Sequence, residues 1–178
     1  MYVKIVAKKH NLNLTINMAA HGMASGINYF IMTTFEPLKP SEIDIAIKMM
    51  QKFYEIDNYN FDIEVTENLF QEFISNENLG KCWLIYTDNE IVGYVIITYI
   101  FSFEYKGKLA FFEELFLLES VRGQGIGKLA IDFVKQQAKL QNVKMMYLEV
   151  ENHNEIAQKL YLANDFVIHN RKIMKFKF

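Results

Sequence analysis

Apolar and polar residues follow two repeats along this chain, one typical of helices and one typical of strands. Apolar positions at helical spacing predict helices at residues 41–55, 66–75, 125–141 and 154–164, the first capped by Ser41. Runs rich in β-branched and aromatic residues predict strands at 33–37, 81–87, 91–103, 109–118, 144–150, 166–169 and 172–178. Because hairpin strands come first and helix-linked strands later, we expect a mixed α/β sheet flanked by helices.

The length and composition indicate one domain. A chain of 178 residues with 51% hydrophobic content can bury a core without disulfides or a metal. Residues 18–26 are small and aperiodic, and the regular pattern begins after residue 32. We therefore expect residues 33–178 to form a single domain, and residues 1–32 to be an N-terminal extension that is disordered or not native to it.

Charge and cysteine content exclude several classes of protein. The net charge of −2 gives no basic surface for nucleic acid, so no nucleic-acid partner is expected. The single cysteine, Cys82, lies in an apolar run and is expected to be a buried small hydrophobe. No apolar stretch is long enough to span a bilayer, and no secretory signal is recognisable, so we expect a cytoplasmic protein without a membrane partner.

The most informative segment, residues 113–128, passes from an apolar strand through a glycine-rich turn into a helix. Glycines allow the backbone to wrap around an anion, and the free amides and dipole of a helix start favour negative charge. The spacing fits neither common nucleotide motif. Lys128 is followed by Leu129 where a P-loop requires Ser or Thr, and the glycines follow G-x-G-x-G where a dinucleotide fingerprint requires G-x-G-x-x-G.

Two motifs together resemble one known family. Arg122 opens an R-x-x-G-x-G turn, and residues 148–150 follow later, with Asn152, Asn154, Ala157, Tyr161 and Phe166 beyond them. In this order and at this separation they resemble the GNAT superfamily of acetyl-CoA-dependent N-acetyltransferases. The resemblance implies the GNAT-like acyl-CoA N-acyltransferase fold, acetyl-CoA as co-substrate and no metal.

The resemblance also implies which residues bind acetyl-CoA. The backbone of Leu115, Phe116 and Leu117 would pair with the pantetheine arm like an added strand. The same resemblance assigns the pyrophosphate to the turn and helix start, formed by Arg122, Gly123, Gln124, Gly125, Ile126, Gly127 and Lys128. Asn154 and Ala157 would lie along the arm. Without the resemblance, residues 115–118 would simply be core.

Acetyl transfer to an alkyl amine requires a base. Such an amine has a pKa of about 10.4, so removing its proton at pH 7 costs about 4 to 5 kcal/mol. Glu113 and Glu114 are the candidates, and strand alternation sends them to opposite faces unless a bulge intervenes. Glu113 resembles the base of the polyamine-acetylating branch and is preferred. The alternative is that these carboxylates are only solvated or paired with lysine.

Tyr161 is the candidate acid. A phenol near the sulfur can protonate or hydrogen-bond the thiolate as it leaves, and Tyr161 matches the family's position for this role. Asn154, Ala157 and Tyr161 share one helix face because they lie at i, i+3 and i+7. The alternative is that Tyr161 is an ordinary core residue.

The acceptor is predicted from aromatic rings beside carboxylates, which together favour a cation. Tyr54, Asp57 and Tyr59 lie between the first two helices, and Glu104 follows the third strand. They predict a small cationic amine, of polyamine or amino-sugar type. The alternatives are a solvated aromatic loop, a protein or peptide N-acetyltransferase, and a catalytically silent acyl-CoA-binding module. The oligomeric state is left open, although an apolar strand at 173–178 would allow a homodimer by pairing across a two-fold axis.

Overall fold

The computed structural model describes residues 32–178 in full and, of residues 1–31, only the backbone of 4–6, 15–19 and 30–31. Two strands fall in this first part, β1 (Lys4–Val6) and β2 (Thr15–Ala19), and both join the sheet by antiparallel pairing. Most of the predicted extension at 1–32 lies outside the described residues. Its assignment as an extension stays a prediction.

The predicted mixed α/β fold is confirmed. Strands β3 (Phe30–Pro37), β4 (Gly80–Thr87), β5 (Glu90–Ser102) and β6 (Gly107–Leu117) are antiparallel, and β7 (Met146–Tyr147) runs parallel to β6. In the sheet, neighbouring strands follow the order of the chain. The helices are α1 (Ile43–Ile56), α2 (Ile63–Ser75), α3 (Ile126–Leu140) and α4 (Glu155–Leu162).

Helices cover both faces of the sheet. On one face α3 packs against a core that includes Phe35, Trp83 and Phe112. On the other face α1 and α2 pack against Tyr94 and Phe116. Strand β6 therefore contributes side chains to both cores, and Cys82 is a buried free cysteine as predicted. No helix in the described part of the chain is both long and apolar enough to cross a membrane.

The predicted cap of the first helix is wrong. Ser41 lies inside a single 3-10 turn at Pro40–Glu42, and α1 begins only at Ile43. Proline accounts for the difference, since its fixed φ starts the turn before Ser41 can act as a cap. By contrast, α2 begins three residues earlier than predicted because the Asp62 carboxylate accepts a hydrogen bond from the Val65 amide at 3.1 Å.

The C-terminal strands were also predicted wrongly. The strand expected at 144–150 is only two residues long, and no strand forms at 166–169 or 172–178 in the described chain. A strand needs a partner, and β7 is too short to offer a ladder for further pairing. The apolar residues of this segment are exposed, as Met174 (92%) and Phe176 (82%) illustrate. A dimer contact through a strand at 173–178 therefore has no strand to form it.

Candidate active site

Strands β6 and β7 separate after two pairs of residues. Ala110 is opposite Met146 and Phe111 is opposite Tyr147, and no further pair follows within the described residues. On its other side, β6 stays paired with β5 as far as Leu117. The main chain of residues 112–117 is therefore an open edge of the sheet. It faces the gap that forms where β6 and β7 separate, which we call the cleft. Such an edge can accept hydrogen bonds from an extended ligand in the manner of an added strand.

The glycine-rich turn follows this open edge and has the backbone of an anion site. Gly123 and Gly125 have φ values of 74° and 84°, which L side chains rarely adopt. A Cβ added at Gly123 would have no atom within 4 Å, so the space above the turn is open. The amides of residues 123–128 have no acceptor among the described residues. Six amides and the start of α3 thus fit a pyrophosphate.

Side chains of the turn brace it from within. The Arg122 Nε donates to the Leu117 carbonyl at 3.0 Å, which ties the turn to the end of β6. The Gln124 amide donates to the Ser120 carbonyl at 2.9 Å, and the Lys128 ammonium contacts the Asp132 carboxylate at 2.6 Å. These contacts engage the side chains of Gln124 and Lys128 and leave the backbone amides of the turn as free donors.

A β-bulge lies at the two candidate bases. Ile96 of β5 is opposite Glu114, whereas the next residue, Ile97, is opposite Phe112, so Glu113 is the extra residue. Burial raises the pKa of Tyr54, and the charges of Glu114 and then Glu113 raise it further. Glu113 accepts a hydrogen bond from Thr98 and Glu114 one from Tyr94, and these two residues are four positions apart on β5, so both carboxylates lie on the face of the sheet that packs against α1. The bulge thus allows Glu113 and Glu114 to lie on the same face of the sheet.

The two carboxylates have different surroundings. Glu113 is exposed and accepts one hydrogen bond, from the Thr98 hydroxyl at 3.3 Å. Glu114 is only 8% exposed, and its two oxygens accept hydrogen bonds from Tyr54 at 2.8 Å and Tyr94 at 2.7 Å. Burial raises the pKa of Glu114, although the two hydroxyls act in the opposite direction. Of the pair, Glu113 is the one that a substrate can reach.

Tyr161 lies on α4, against the strand residue that precedes the bulge. Its ring packs edge-on against Phe112, with centroids 5.9 Å apart, and against Phe166 at 5.6 Å. Burial raises the pKa of Tyr161 to about 12, so the phenol keeps its proton at neutral pH.

The start of α4 places the two predicted arm contacts side by side. The Asn154 side chain caps the helix, because its Oδ1 accepts a hydrogen bond from the Ala157 amide at 3.1 Å. The capping bond occupies the oxygen of this side chain and leaves its NH2 group for other partners. The roles of both residues toward acetyl-CoA stay predictions.

The loop between α1 and α2 reaches the segment before α4. The Tyr59 hydroxyl donates to the Glu151 carboxylate at 2.6 Å, and Asp57 lies 2.9 Å from the His153 imidazole. Glu151 and His153 were missed by sequence reasoning. Neither residue belongs to a helix or strand repeat, so the sequence carried no signal for them.

The structure does not bring Glu104 together with the other predicted acceptor residues. Glu104 lies in the turn between β5 and β6, and Arg171 binds its two oxygens at 2.6 and 2.9 Å. Hydrogen bonding to Arg171 lowers the pKa of Glu104. No contact in the described chain connects Glu104 with Tyr54, Asp57 or Tyr59. Its engagement with Arg171 is the observed role, and acceptor binding by Glu104 stays a prediction.

Comparison with known proteins agrees with this geometry. The model of the acetyltransferase (GNAT) family matches residues 47–166, which include the bulge, the glycine turn and α4. A search of curated proteins gives no match.

Several solved structures have the same fold at low sequence identity. A possible acetyltransferase from Clostridium difficile 630 is 17% identical over 82% of this chain and 97% of its own, with a TM-score of 0.74. A predicted acetyltransferase with acetyl-CoA from Clostridium acetobutylicum is 16% identical over 82% and 96%, with a TM-score of 0.70. The aminoglycoside N-acetyltransferase AAC(6')-Iy, in complex with CoA, is 15% identical over 83% and 95%, with a TM-score of 0.71.

Proposed function

Because this chain belongs to the acetyltransferase (GNAT) family, we propose that it transfers the acetyl group of acetyl-CoA to the primary amine of a small cationic molecule. Family membership makes it an acetyl-CoA-dependent acyltransferase. The observation that supports the amine acceptor is the bulge, which leaves the Glu113 carboxylate exposed beside the open edge of β6.

The residues of the cleft fit the co-substrate. The open edge of residues 115–117 offers main-chain groups to the amides of the pantetheine arm, and the free amides of 123–128 offer donors to its pyrophosphate. Asn154 and Ala157 lie at the start of α4 and would flank the arm. Arg122 would act mainly by holding the turn against β6, as its bond to the Leu117 carbonyl indicates.

Glu113 is the proposed base. Only the free amine has the lone pair that attacks the thioester carbon, so the ammonium first loses a proton, which Glu113 accepts directly or through water. As the carbon–nitrogen bond forms, the nitrogen loses its second proton to solvent. An exposed carboxylate can afterwards return the first proton to solvent. Glu114 is the second candidate by position, but both of its oxygens already accept hydrogen bonds from tyrosines.

Tyr161 is the proposed donor to the leaving group. The carbon–sulfur bond breaks with its electron pair on sulfur, which then needs a proton or a hydrogen bond. A thiol with a pKa of about 8.5 is a stronger acid than a phenol with a raised pKa. A hydrogen bond from the Tyr161 hydroxyl to the departing sulfur is therefore the main contribution we propose, and solvent completes the protonation.

The acceptor is proposed from the end of α1 and the loop that connects it with α2. Tyr54 and Tyr59 provide aromatic faces, and Asp57 provides a carboxylate, so a cation is favoured there. Polyamines and amino sugars both carry primary amines and positive charge. That a structure of similar fold is an aminoglycoside N-acetyltransferase supports keeping amino sugars in this class.

Release of CoA thiol against a panel of polyamines, amino sugars and peptides tests the proposal. We expect turnover with a small cationic amine, and Glu113→Gln should lower kcat by about 10²-fold or more. Glu90→Gln is the matched control, because Glu90 is an exposed glutamate at the far end of β5. Turnover of peptides alone would indicate a protein-modifying enzyme. CoA binding without any turnover would indicate a silent acyl-CoA-binding module.

A further inference from the structure

Both oxygens of the Glu114 carboxylate accept hydrogen bonds inside the protein. Its Oε1 accepts a hydrogen bond from Tyr54 at 2.8 Å, its Oε2 accepts one from Tyr94 at 2.7 Å, and the residue is 8% exposed. A general base needs a lone pair that the substrate can reach. Each oxygen of Glu114 keeps a second lone pair, but the side chain is buried away from a substrate, whereas Glu113 beside it is exposed. The role of Glu114 must therefore lie in what it holds.

What Glu114 holds is the end of α1. Tyr94 is fully buried in β5 and anchors the carboxylate from the sheet, while Tyr54 comes from the last turns of α1. The Tyr54 ring in turn packs edge-on against Tyr59 and Phe61, with centroids 5.8 and 5.5 Å away. One hydrogen bond thus connects β6 with the aromatic part of the loop between α1 and α2.

The same loop is held from a second side. Tyr59 donates to Glu151, and Asp57 contacts His153, both in the segment before α4. The Tyr59–Glu151 contact is exposed, and in the Asp57–His153 contact the His153 side chain is 67% exposed, so water competes with both. The Tyr54–Glu114 bond is the partly buried one, and hydrogen bonds to a buried charge are stronger than exposed contacts. It is the firmest connection between the loop and the sheet.

We propose that Glu114 is a positioning residue for the acceptor site, which holds Tyr54 and thereby sets the loop of residues 57–62 against β6. This inference rests on the proposed function, because it assigns the loop to the amine acceptor. The two neighbouring glutamates then have different roles. Glu113 accepts the proton of the amine, and Glu114 positions the loop that binds the amine.

Steady-state kinetics of Glu114→Gln, Tyr54→Phe and the double variant test the proposal. Loss of a hydrogen bond to a charged group corresponds to about tenfold in an equilibrium constant. We expect each single variant to raise the acceptor KM by about tenfold, with kcat within about threefold of the unchanged protein and the acetyl-CoA KM unaffected. The double variant should add less than about twofold to either single one, since both remove the same connection.

Tyr86→Phe is the matched control. The Tyr86 hydroxyl also donates to a glutamate on the α1 side of the sheet, Glu42, at 3.2 Å, but at the start of α1 and away from the loop. It should leave both KM values unchanged. A fall in kcat of about 10²-fold or more in Glu114→Gln, with an unchanged acceptor KM, would identify Glu114 as the base and overturn the proposal. Additive effects in the double variant would overturn it as well.

Amide hydrogen exchange separates this proposal from the proposed function. If no amine is turned over, the proposed function fails, yet the connection can still be measured. Faster exchange across residues 57–62 in both Glu114→Gln and Tyr54→Phe, and not in Tyr86→Phe, would support the positioning role. Unchanged exchange in that loop would refute it, whatever the activity.

Discussion

Glu113 and Glu114 are neighbours of identical chemistry that the fold treats differently. The bulge exposes one carboxylate and turns the other into a core of tyrosines. A sequence shows two adjacent acidic residues but not which of them is buried, because a bulge depends on the register with β5. The preference for Glu113 came from the family resemblance, and the structure supplies a physical reason for keeping it.

The burial of Glu114 predicts a pH-dependent difference in stability. Its pKa is raised in the folded state, so the folded protein takes up this proton before the unfolded chain does. Its contribution is therefore fully present below the unfolded pKa of about 4.3 and is lost as the pH rises through the folded pKa. The groups facing it, Tyr54, Tyr94 and Cys82, have pKa values raised by burial and stay neutral in this range.

The measurement compares the free energy of urea unfolding of the natural chain and Glu114→Gln at pH 7 and pH 5. The natural chain should gain stability relative to the variant at the lower pH. Glu113, whose charge also faces Glu114, is present in both proteins and so does not distinguish them. The same difference at both pH values would contradict the raised pKa of Glu114.

Tyr161→Phe tests the donor to the leaving group. Removing the hydroxyl should lower kcat by about 10²-fold while the KM for acetyl-CoA changes little, because the phenol acts mainly in the transition state. The raised pKa of Tyr161, about 12, predicts that activity does not fall between pH 7 and 9 through loss of its proton. A thermal melt equal to that of the natural chain would exclude a packing defect. Full activity would make Tyr161 a core residue only.

At the scale of elements, local periodicity predicted the helices and the long strands well. It failed where an element depends on a partner. The strand at 144–150 is short because β7 leaves β6, and the strands at 166–178 do not form because no ladder is available to them. The bulge and the separation of β6 from β7 create the site, and both are properties of pairing that no single segment encodes.

The glycine turn makes a prediction about CoA binding. Gly123→Ala places a Cβ at a φ of 74° in the open space above the turn. We expect CoA affinity measured by calorimetry to fall by about tenfold or more, since the methyl group occupies the space of the anion. Gly107→Ala is the control for strain, because Gly107 has a φ of 150° at the first residue of β6, away from the glycine turn. An equal loss of CoA affinity in both variants would contradict pyrophosphate binding by the glycine turn.

The pairing of β5 with β6 requires glycine at position 93. A Cβ there would lie 2.2 Å from the Phe116 carbonyl oxygen and 2.8 Å from a Leu117 methyl group. Because backbone cannot yield as a side chain does, Gly93→Ala should lower the free energy of unfolding by about 1 to 3 kcal/mol. Urea unfolding measures this loss. A change below about 0.5 kcal/mol would show that the two strands can move apart freely.

At the scale of the whole molecule, helices on both faces bury β6 between two cores, and the cleft opens along one edge of that strand. The sequence predicted this architecture because two motifs resembled one family. The acceptor loop was predicted in part, and its partners Glu151 and His153 were not, since contacts between distant loops leave no periodic signal.

The ion pair between Glu104 and Arg171 connects the C-terminal segment with the turn between β5 and β6. Arg171→Gln should therefore increase proteolysis after residue 166 and leave CoA affinity unchanged.

The lowered pKa of Glu104 gives this contact a pH dependence. The ion pair stabilises the folded protein above the unfolded pKa of about 4.3, and this contribution is lost as the pH falls through the folded pKa. Lys172→Gln is the control, because Lys172 is exposed next to Arg171. Equal rates of proteolysis in the natural chain, Arg171→Gln and Lys172→Gln would contradict an anchoring role of the ion pair.

The open edge of β6 has a consequence for how this protein can change over evolutionary time. Where recognition relies on main-chain amides and carbonyls, any residue that keeps the strand extended preserves it. The side chains of residues 115–117 are then free to adapt to the cores on either side without loss of the coenzyme. Sequences can drift far apart under this condition, and the solved structures at 15–17% identity illustrate how far they diverge within one fold.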